Sequence, residues 1–188
     1  MTQKDWEVYK FGGTSMKNAD ALKQVGNLIM NSDSDNLIVV VSAMSGMTDD
    51  LLSFSQTKDE KLLEAIESRY IETVGSLLKD SSGEHRLIKE FRQDIQKIKD
   101  LAEQKDHSSM NVEENEILGF GEIWSSKMLH DYLTSLSDIK SSWINPMEFL
   151  VIRNQEMGAN VNWSKSKEAF NQSFQDMEGK IIMGGFIA

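Results

Sequence analysis

The first part of the chain alternates short apolar runs with glycine loops and amphipathic segments. Residues 6–11 alternate in polarity and carry β-favouring side chains, and residues 37–41 form a continuous apolar run, Leu-Ile-Val-Val-Val. A short β-branched run of this kind is typical of a strand that is covered on both faces in a parallel sheet. A helical pattern follows each run after a loop, beginning at Asn18 and at Thr48. We therefore predict two consecutive strand–loop–helix units, with Thr48 as the N-cap of the second helix.

The middle of the chain is predicted to be helical. Apolar side chains recur with a period of about 3.6 residues over 62–78 and again over 87–101. Ser-Ser-Gly at 81–83 separates the two segments, so we predict a helical hairpin. We interpret its charged faces as solvated surface rather than as a binding site.

A third helix is predicted over about residues 112–136. It contains Gly119 and Gly121. Glycine lowers helix propensity, and two glycines here therefore indicate close approach of another backbone.

The last part of the chain returns to alternating strands and helices. A strand is predicted at residues 139–144, and a short helix is predicted to begin at Asn145-Pro146. A further helix is predicted at residues 164–174, and a buried strand at residues 180–183. The sequence stops just after the glycine turn that follows this last strand. The strand's outgoing connection is then missing, so we expect a cut through a domain. The whole pattern predicts an α/β fold with a mostly parallel sheet.

Composition and charge restrict the function. The chain has 188 residues with 20 basic and 30 acidic side chains, a formal net charge of −10, so we expect no nucleic-acid partner. It has no cysteine, which excludes disulfides and zinc–thiolate sites, and its three histidines are too scattered to form a metal set. The longest apolar run is far below the roughly 20 residues of a membrane span. We expect a cytoplasmic protein with no membrane partner and no metal site.

A glycine loop with candidate chemistry follows the first predicted strand. Residues 10–15 read Lys-Phe-Gly-Gly-Thr-Ser, at the crevice position where open α/β sheets bind ligands. Backbone N–H groups of the loop can bind phosphate oxygens, Lys10 adds a movable positive charge, and Thr14 and Ser15 add hydroxyls. The segment matches neither the Walker A pattern nor a dinucleotide fingerprint. It predicts a phosphate site, and an ordinary glycine turn with a surface lysine is the alternative.

Two further segments carry candidate residues. The loop after the second strand contains Ser42, Ala43 and Gly46, and it faces the same crevice if the two strands are neighbours. Its alternative is a simple N-cap by Thr48. Glu122 lies in an otherwise apolar stretch and needs a partner if it is buried, which a substrate ammonium group would supply. The solvated side of an amphipathic helix is the alternative for Glu122.

Together these segments resemble the aspartate kinases of the amino-acid kinase family. Residues 10–15 are similar to the family's opening motif, residues 42–51, Ser-Ala-x-x-Gly-x-Thr-Asp-x-Leu, to its second-strand loop, and residues 121–125, Gly-Glu-x-x-Ser, to its substrate-side helix. Gly-Phe-Ile at 185–187 resembles the turn before the family's nucleotide-side half. The helical stretch at about 58–105 resembles the insert of the branch that includes lysine-sensitive and bifunctional aspartokinase/homoserine dehydrogenase enzymes.

The resemblance implies a fold, a domain and a reaction. Residues 1–188 would form the amino-terminal lobe of a three-layer αβα amino-acid kinase domain with a helical hairpin insert. The reaction would transfer a phosphoryl group from ATP, with Mg²⁺, to the side-chain carboxylate of L-aspartate, the entry step to lysine, methionine and threonine synthesis. The family's Arg-Gly-Gly-Ser-Asp segment is absent, so we expect most of the ATP site to lie outside this chain and the chain alone to be inactive. The full-length protein is expected to be a homo-oligomer.

The resemblance also assigns roles to individual residues. Lys10 would be catalytic, because it would neutralise charge on the transferring phosphoryl group. The residues that would hold phosphate are Lys10, Gly12, Gly13, Thr14, Ser15 and Ser42. The residues that would bind the amino acid are Ser42, Ala43, Thr48, Glu122 and Phe186, with Glu122 on its ammonium group.

Two other functions remain open at this point. One is a kinase of the same superfamily that acts on another substrate, of the acetylglutamate or glutamate 5-kinase type, which a substrate panel would separate. The other is a non-catalytic binding module derived from a kinase half, which the continuation of the gene past Ala188 would test.

Overall fold

The computed structural model describes residues 5–79, 85–104, 112–136, 139–155, 158–174 and 177–185. Its elements, in chain order, are β1 (Glu7–Phe11), α1 (Ala19–Met30), β2 (Leu37–Val41), α2 (Met47–Thr57), α3 (Glu60–Leu78), α4 (Arg86–Gln104), α5 (Val112–Ser135), β3 (Ser141–Trp143), β4 (Ile152–Gln155), β5 (Gly158–Val161), α6 (Trp163–Phe174) and β6 (Lys180–Gly184). Short 3₁₀ turns cover Gly13–Met16 and Pro146–Glu148. These elements include every strand and helix that the sequence pattern predicts.

Four strands form a parallel sheet in the order β1-β2-β6-β3. The register pairs Lys10 with Val40, and Val41 with Gly184. The carboxyl ends of β1, β2 and β6 therefore lie at the same edge of the sheet, and the predicted parallel sheet is confirmed.

A separate antiparallel hairpin is formed by β4 and β5. The sequence analysis predicts no strand here, because residues 153–160 are mostly polar and the apolar run at 149–152 ends where β4 begins. The hairpin is therefore an element that the sequence analysis misses.

Helices cover both faces of the parallel sheet. On one face, Val39 and Val41 are fully buried in a core that includes side chains from α1 to α5. On the other face, Ile181 and Met183 pack in a second core with Phe149, close to α6. This arrangement is the expected three-layer αβα fold.

The predicted helical hairpin consists of α3 and α4. Tyr70 of α3 stacks on Phe91 of α4, with ring centroids 4.2 Å apart. An exposed ion pair between Arg92 Nε and Glu67 Oε1, 2.9 Å long, joins the two helices on their outer side. The hairpin thus has an aromatic core and an exposed charged outer side. No helix in the described part of the chain is long and apolar enough to cross a membrane.

The predicted N-cap of the second helix is wrong. α2 begins at Met47, and its N-cap is Gly46, whose φ of 79° lies in the left-handed region. Glycine adopts this backbone conformation without the steric penalty of a side chain, so the turn is completed before Thr48. Thr48 therefore lies in the first turn of the helix, and no side chain caps the helix start.

Candidate active site at the strand ends

The loops that leave β1, β2 and β6 pack against one another at the carboxyl edge of the sheet. Ser42 N donates to the carbonyl oxygen of Phe11 at 3.0 Å, and Gly185 N donates to that of Val41 at 2.9 Å. A Cβ built on Gly13 would lie 3.2 Å from the carbonyl oxygen of Ala43. The three loops thus border a single crevice, which is where open α/β sheets bind their ligands.

The glycine loop after β1 is open on its outer side. Lys10 is exposed at the penultimate position of β1. Gly12 is also exposed, and a Cβ built on it would meet nothing within 4 Å among the described residues. Ser15 N donates to the Gly12 carbonyl at 2.9 Å and closes the 3₁₀ turn that contains Thr14. This loop offers one cation, two hydroxyls and free space for an anion.

The loop after β2 brings backbone and hydroxyl groups to the same crevice. Ser42 is half-buried and Ala43 is buried, so the chain turns inward directly after the strand. Met47 N donates to the Met44 carbonyl at 2.9 Å, which tightens the turn before α2. Thr48, half-buried in the first helical turn, lies beyond it.

Arg69 of α3 reaches the start of α2, a contact that the sequence analysis misses. Its Nη2 atom lies 3.5 Å from Met47 Sδ and 3.6 Å from Asp50 Oδ2. Its Nε atom is buried without a hydrogen-bond partner in the part of the chain that the structure describes. The feature of the sequence that could have indicated this contact is the position of Arg69, a single arginine beside the apolar stripe of α3 and next to the buried Tyr70. The helical hairpin therefore contacts the first turn of α2, which contains Thr48.

Glu122 of α5 is buried beside the end of β6. Glu122 is only 8% exposed to solvent. A Cβ built on Gly184 would lie 3.1 Å from Glu122 Cβ, and a Cβ on Gly185 would lie 3.5 Å from Glu122 Oε2. The alternative of a solvated helix glutamate is therefore wrong. A small cavity of about 60 Å³, which Glu122, Gly119 and Asn145 help to line, opens beside it.

The two glycines of α5 have different surroundings. A Cβ built on Gly121 would lie 2.9 Å from Ala43 Cβ, so α5 approaches the β2 loop closely, as predicted. The same prediction is wrong for Gly119, where a Cβ would meet nothing within 4 Å among the described residues. The two positions differ because Gly121 faces the β2 loop and α2, whereas Gly119 lines the small cavity. Ser125, which follows on the same helix, is fully buried and donates to the Gly121 carbonyl at 3.1 Å.

The predicted site residues thus form two groups at one edge. Those of the first group leave β1, and they are Lys10, Gly12, Gly13, Thr14 and Ser15. Those of the second group lie near the ends of β2 and β6, and they are Ser42, Ala43, Thr48 and Glu122. Phe186 lies outside the described residues. The arrangement can hold a phosphate on the β1 side and a cationic group beside Glu122.

The model of the amino acid kinase family matches residues 5–188. A bifunctional aspartokinase/homoserine dehydrogenase 2, chloroplastic, of Arabidopsis thaliana is 29% identical over 194 residues, covering 97% of this chain and 21% of that protein. The corresponding protein 1 of Zea mays is 29% identical over 198 residues, with the same 97% and 21% coverage. The chain thus spans about a fifth of the length of these curated relatives.

The fold also resembles a solved structure. Aspartokinase III of E. coli in complex with aspartate and ADP has a TM-score of 0.79 to this chain at 20% identity. The match covers 95% of this chain and 40% of that one. At this identity the likeness concerns the fold alone.

Proposed function

Since the chain belongs to the amino acid kinase family, we propose that it is the amino-terminal part of an aspartate kinase. The reaction is transfer of the γ-phosphoryl group of ATP to the side-chain carboxylate of L-aspartate, which yields 4-phospho-L-aspartate. One observation carries the proposal: the open glycine loop beside Lys10 and the buried carboxylate of Glu122 border the same crevice. The similarity to proteins named aspartokinase supports it.

The β1 side of the crevice would hold the phosphates. Backbone N–H groups of Gly12 and Gly13, with the hydroxyls of Thr14 and Ser15, would bind phosphate oxygens as donors. Lys10 would lie against the transferring phosphoryl group and neutralise the charge that its oxygens carry. Phosphoryl transfer depends mainly on positioning and electrostatic stabilisation, so one lysine and a row of donors suffice chemically on this side.

The β2 and β6 side would hold the amino acid. Glu122 would accept hydrogen bonds from the substrate ammonium group, which is a cation that a buried carboxylate can pair with. Ser42, Ala43 and Thr48 would contact the rest of the substrate and bring its carboxylate towards the phosphoryl group. Phe186 would complete this side.

The described residues would hold ATP only at its phosphates. The open space at Gly12 suits an anion, whereas most of the site for the nucleotide would lie in the part of the protein outside this chain. Mg²⁺ would accompany ATP as part of the co-substrate. No group of three or more acidic or histidine side chains suited to a metal ion occurs among the described residues, and no step of this mechanism depends on such a group.

We also propose the extent of the domain and its context. Residues 1–188 would be the amino-terminal part of the kinase domain, with the helical insert at about 58–105 and the nucleotide-binding half beyond. The isolated chain would be inactive, and the full-length protein a homo-oligomer in lysine, threonine and methionine biosynthesis. A cytoplasmic location remains a prediction; relatives from plants are named chloroplastic, so cell fractionation is the measurement that decides.

The test is a substrate panel with the natural full-length protein. The protein is incubated with MgATP and, separately, with L-aspartate, L-glutamate or N-acetyl-L-glutamate, and the acyl phosphate is trapped with hydroxylamine. Of the three amino-acid substrates, we expect only L-aspartate to give turnover with MgATP. Turnover with a glutamate substrate would reassign the enzyme within the family, and no turnover with any of them would indicate a non-catalytic module.

A further inference from the structure

A ladder of polar contacts joins α4 to α5, on the side of α5 away from the sheet edge described above. Its three rungs are Asp94 with Trp124, Glu90 with Lys127, and Arg86 with Asp131. Successive rungs lie about one helical turn apart on both helices, which run antiparallel. Arg86 also contacts Glu90, so the second and third of these rungs are linked. A ladder with this spacing can form in only one axial alignment of the two helices.

The rung formed by Asp94 and Trp124 is the buried one. Asp94 Oδ2 accepts a hydrogen bond from Trp124 Nε1 at 3.0 Å, and the two residues are 8% and 1% exposed. The indole ring packs against Phe91, with centroids 4.5 Å apart, and against Phe120, with centroids 5.9 Å apart. Lys97 Nζ, 3.7 Å from Asp94 Oδ1, supplies a partly compensating charge from the exposed side.

Trp124 also stands in a fixed relation to the candidate site. It follows Glu122 by two residues, and side chains two apart on an α-helix project from nearly opposite sides. Glu122 lies against the end of β6, whereas Trp124 points into the aromatic core of the hairpin. A shift or rotation of α5 would therefore move both side chains together.

We propose that Asp94 is a positioning residue for the amino-acid side of the crevice. Its hydrogen bond to Trp124 fixes the rotation and axial position of α5, and α5 in turn holds the carboxylate of Glu122 beside β6. The hairpin thereby contributes to substrate affinity without touching the substrate. The inference rests on the proposed function for the identity of the substrate.

The chemistry of the rung supports positioning over simple packing. Burial of a carboxylate is unfavourable unless it is hydrogen-bonded, so an apolar side chain would fill this space with less penalty. Apolar surfaces in contact tolerate small displacements, whereas a hydrogen bond requires a particular distance and direction. Asp94 provides that directional constraint through Trp124. Of the α5 residues in the ladder, Trp124 is the nearest to Glu122 in sequence.

The first experiment compares Asp94→Ala with Asp94→Asn in the natural full-length protein. Alanine removes the acceptor, whereas asparagine keeps a side-chain oxygen that can accept from the indole. We expect Asp94→Ala to raise the KM for aspartate by roughly tenfold or more, the equivalent of about one lost buried hydrogen bond. The KM for ATP should stay within about twofold, and Asp94→Asn should restore most of the aspartate affinity.

Matched controls separate positioning from a general loss of stability. Glu67→Gln breaks an exposed ion pair on the same hairpin and should leave both KM values unchanged. If Asp94→Ala does not fold, Trp124→Phe replaces it, because phenylalanine keeps one aromatic ring and lacks the indole donor, although it is also smaller than tryptophan. An unchanged aspartate KM in the folded variant, or equal increases in both KM values, would overturn the proposal.

A second measurement does not depend on the substrate. The backbone amides of α5 around Glu122 should exchange hydrogen faster in Asp94→Ala than in the natural protein, because the hydrogen bond from Trp124 to Asp94 is lost. In Asp94→Asn, exchange should stay close to that of the natural protein. Equal protection in all three proteins would refute the anchoring role. If the natural protein shows no aspartate-dependent turnover, the proposed function fails, and the exchange data still decide whether Asp94 fixes α5.

Discussion

Gly185 lies with its backbone against the carboxylate of Glu122. A Cβ built on Gly185 would be 3.5 Å from Glu122 Oε2 and 3.0 Å from a methyl carbon of Val40. The Gly185 N–H group is engaged by the carbonyl of Val41, at 2.9 Å. The glycine turn after β6 therefore leaves room beside the carboxylate that any larger residue would occupy. This geometry connects the end of the sheet with the group that we propose for the substrate ammonium.

The first prediction concerns the charge of Glu122. Glu122→Gln keeps the shape of the side chain and removes its charge, so aspartate should bind more weakly by about 1.5–3 kcal/mol, as expected for a lost charge-assisted hydrogen bond. ATP binding should change little. Calorimetric titration of each ligand against both full-length proteins measures this difference. Unchanged aspartate affinity would remove Glu122 from the site, and parallel weakening of both ligands would indicate a structural role.

The second prediction concerns the lysine at the end of β1. A charge beside the transferring phosphoryl group acts chiefly in the transition state, so Lys10→Met in the full-length protein should lower kcat by roughly 10²- to 10³-fold. The KM for aspartate should rise much less. Steady-state kinetics with both substrates varied provides the measurement, and Lys17→Met, a change to an exposed lysine that follows the 3₁₀ turn, is the control. A near-normal kcat in Lys10→Met would make Lys10 a surface lysine without a catalytic role.

The third prediction uses the two glycines of α5 as a matched pair. Gly121→Ala forces a Cβ to within 2.9 Å of Ala43 Cβ, so it should lower the free energy of unfolding by about 1–3 kcal/mol. Gly119→Ala adds a Cβ in open space and should raise it by about 0.5–1 kcal/mol, because alanine favours the helix. Urea denaturation of both variants decides. If both variants change the free energy of unfolding in the same direction, the close contact between α5 and the β2 loop does not determine the effect of Gly121→Ala.

The parallel sheet and its loops could be predicted because their pattern is local. The run at 37–41 and the glycines at 12–13 are each a short stretch whose composition determines strand or turn. Adjacent β–α units bring their loops to one edge by topology alone. The apolar residues on either side of Glu122 indicate burial as one of two alternatives, and the structure selects it over a solvated helix face.

The remainder depends on contacts between distant segments. The partner of Trp124 is on another helix, and no periodicity in either helix specifies their alignment. Arg69 reaches Met47 only because α3 crosses the start of α2. The misplaced N-cap has a local cause: Gly46 adopts a left-handed conformation that competes with a cap by Thr48. The sequence analysis names only Thr48 as the cap, because the pattern of residue types does not reveal the backbone conformation of Gly46.

The last prediction concerns pH and His130, a half-buried residue of α5 beside β3. Its Nδ1 atom lies 3.2 Å from Ser141 Oγ. Burial lowers the pKa of His130 below its ordinary value of 6.5; the charge of Asp131 opposes this effect, and that of Arg86 adds to it. The folded state therefore prefers the neutral imidazole.

The sign of the pH dependence follows from this preference. In the unfolded chain the histidine binds a proton at higher pH than in the folded one, so stability is fully present above about pH 6.5 and falls as the pH drops towards the lowered native pKa. His130→Gln, which keeps a polar group near Ser141, should remove this part of the pH dependence. Glu90 affects the stability of the fold at a lower pH than His130 does. Burial would raise its pKa, but hydrogen bonds from Lys127 and Arg86 lower it below 4.5, so its contribution is lost only in stronger acid.

The measurement is the free energy of unfolding from urea denaturation between about pH 5 and about pH 8. The natural protein should lose stability towards the acidic end of this window, and His130→Gln should lose less. His85→Gln provides a matched histidine control, because His85 lies at the start of α4, where its ring caps the Leu87 amide at 3.2 Å. If His130→Gln follows the natural protein across the whole window, burial of the His130 imidazole does not control the acid response.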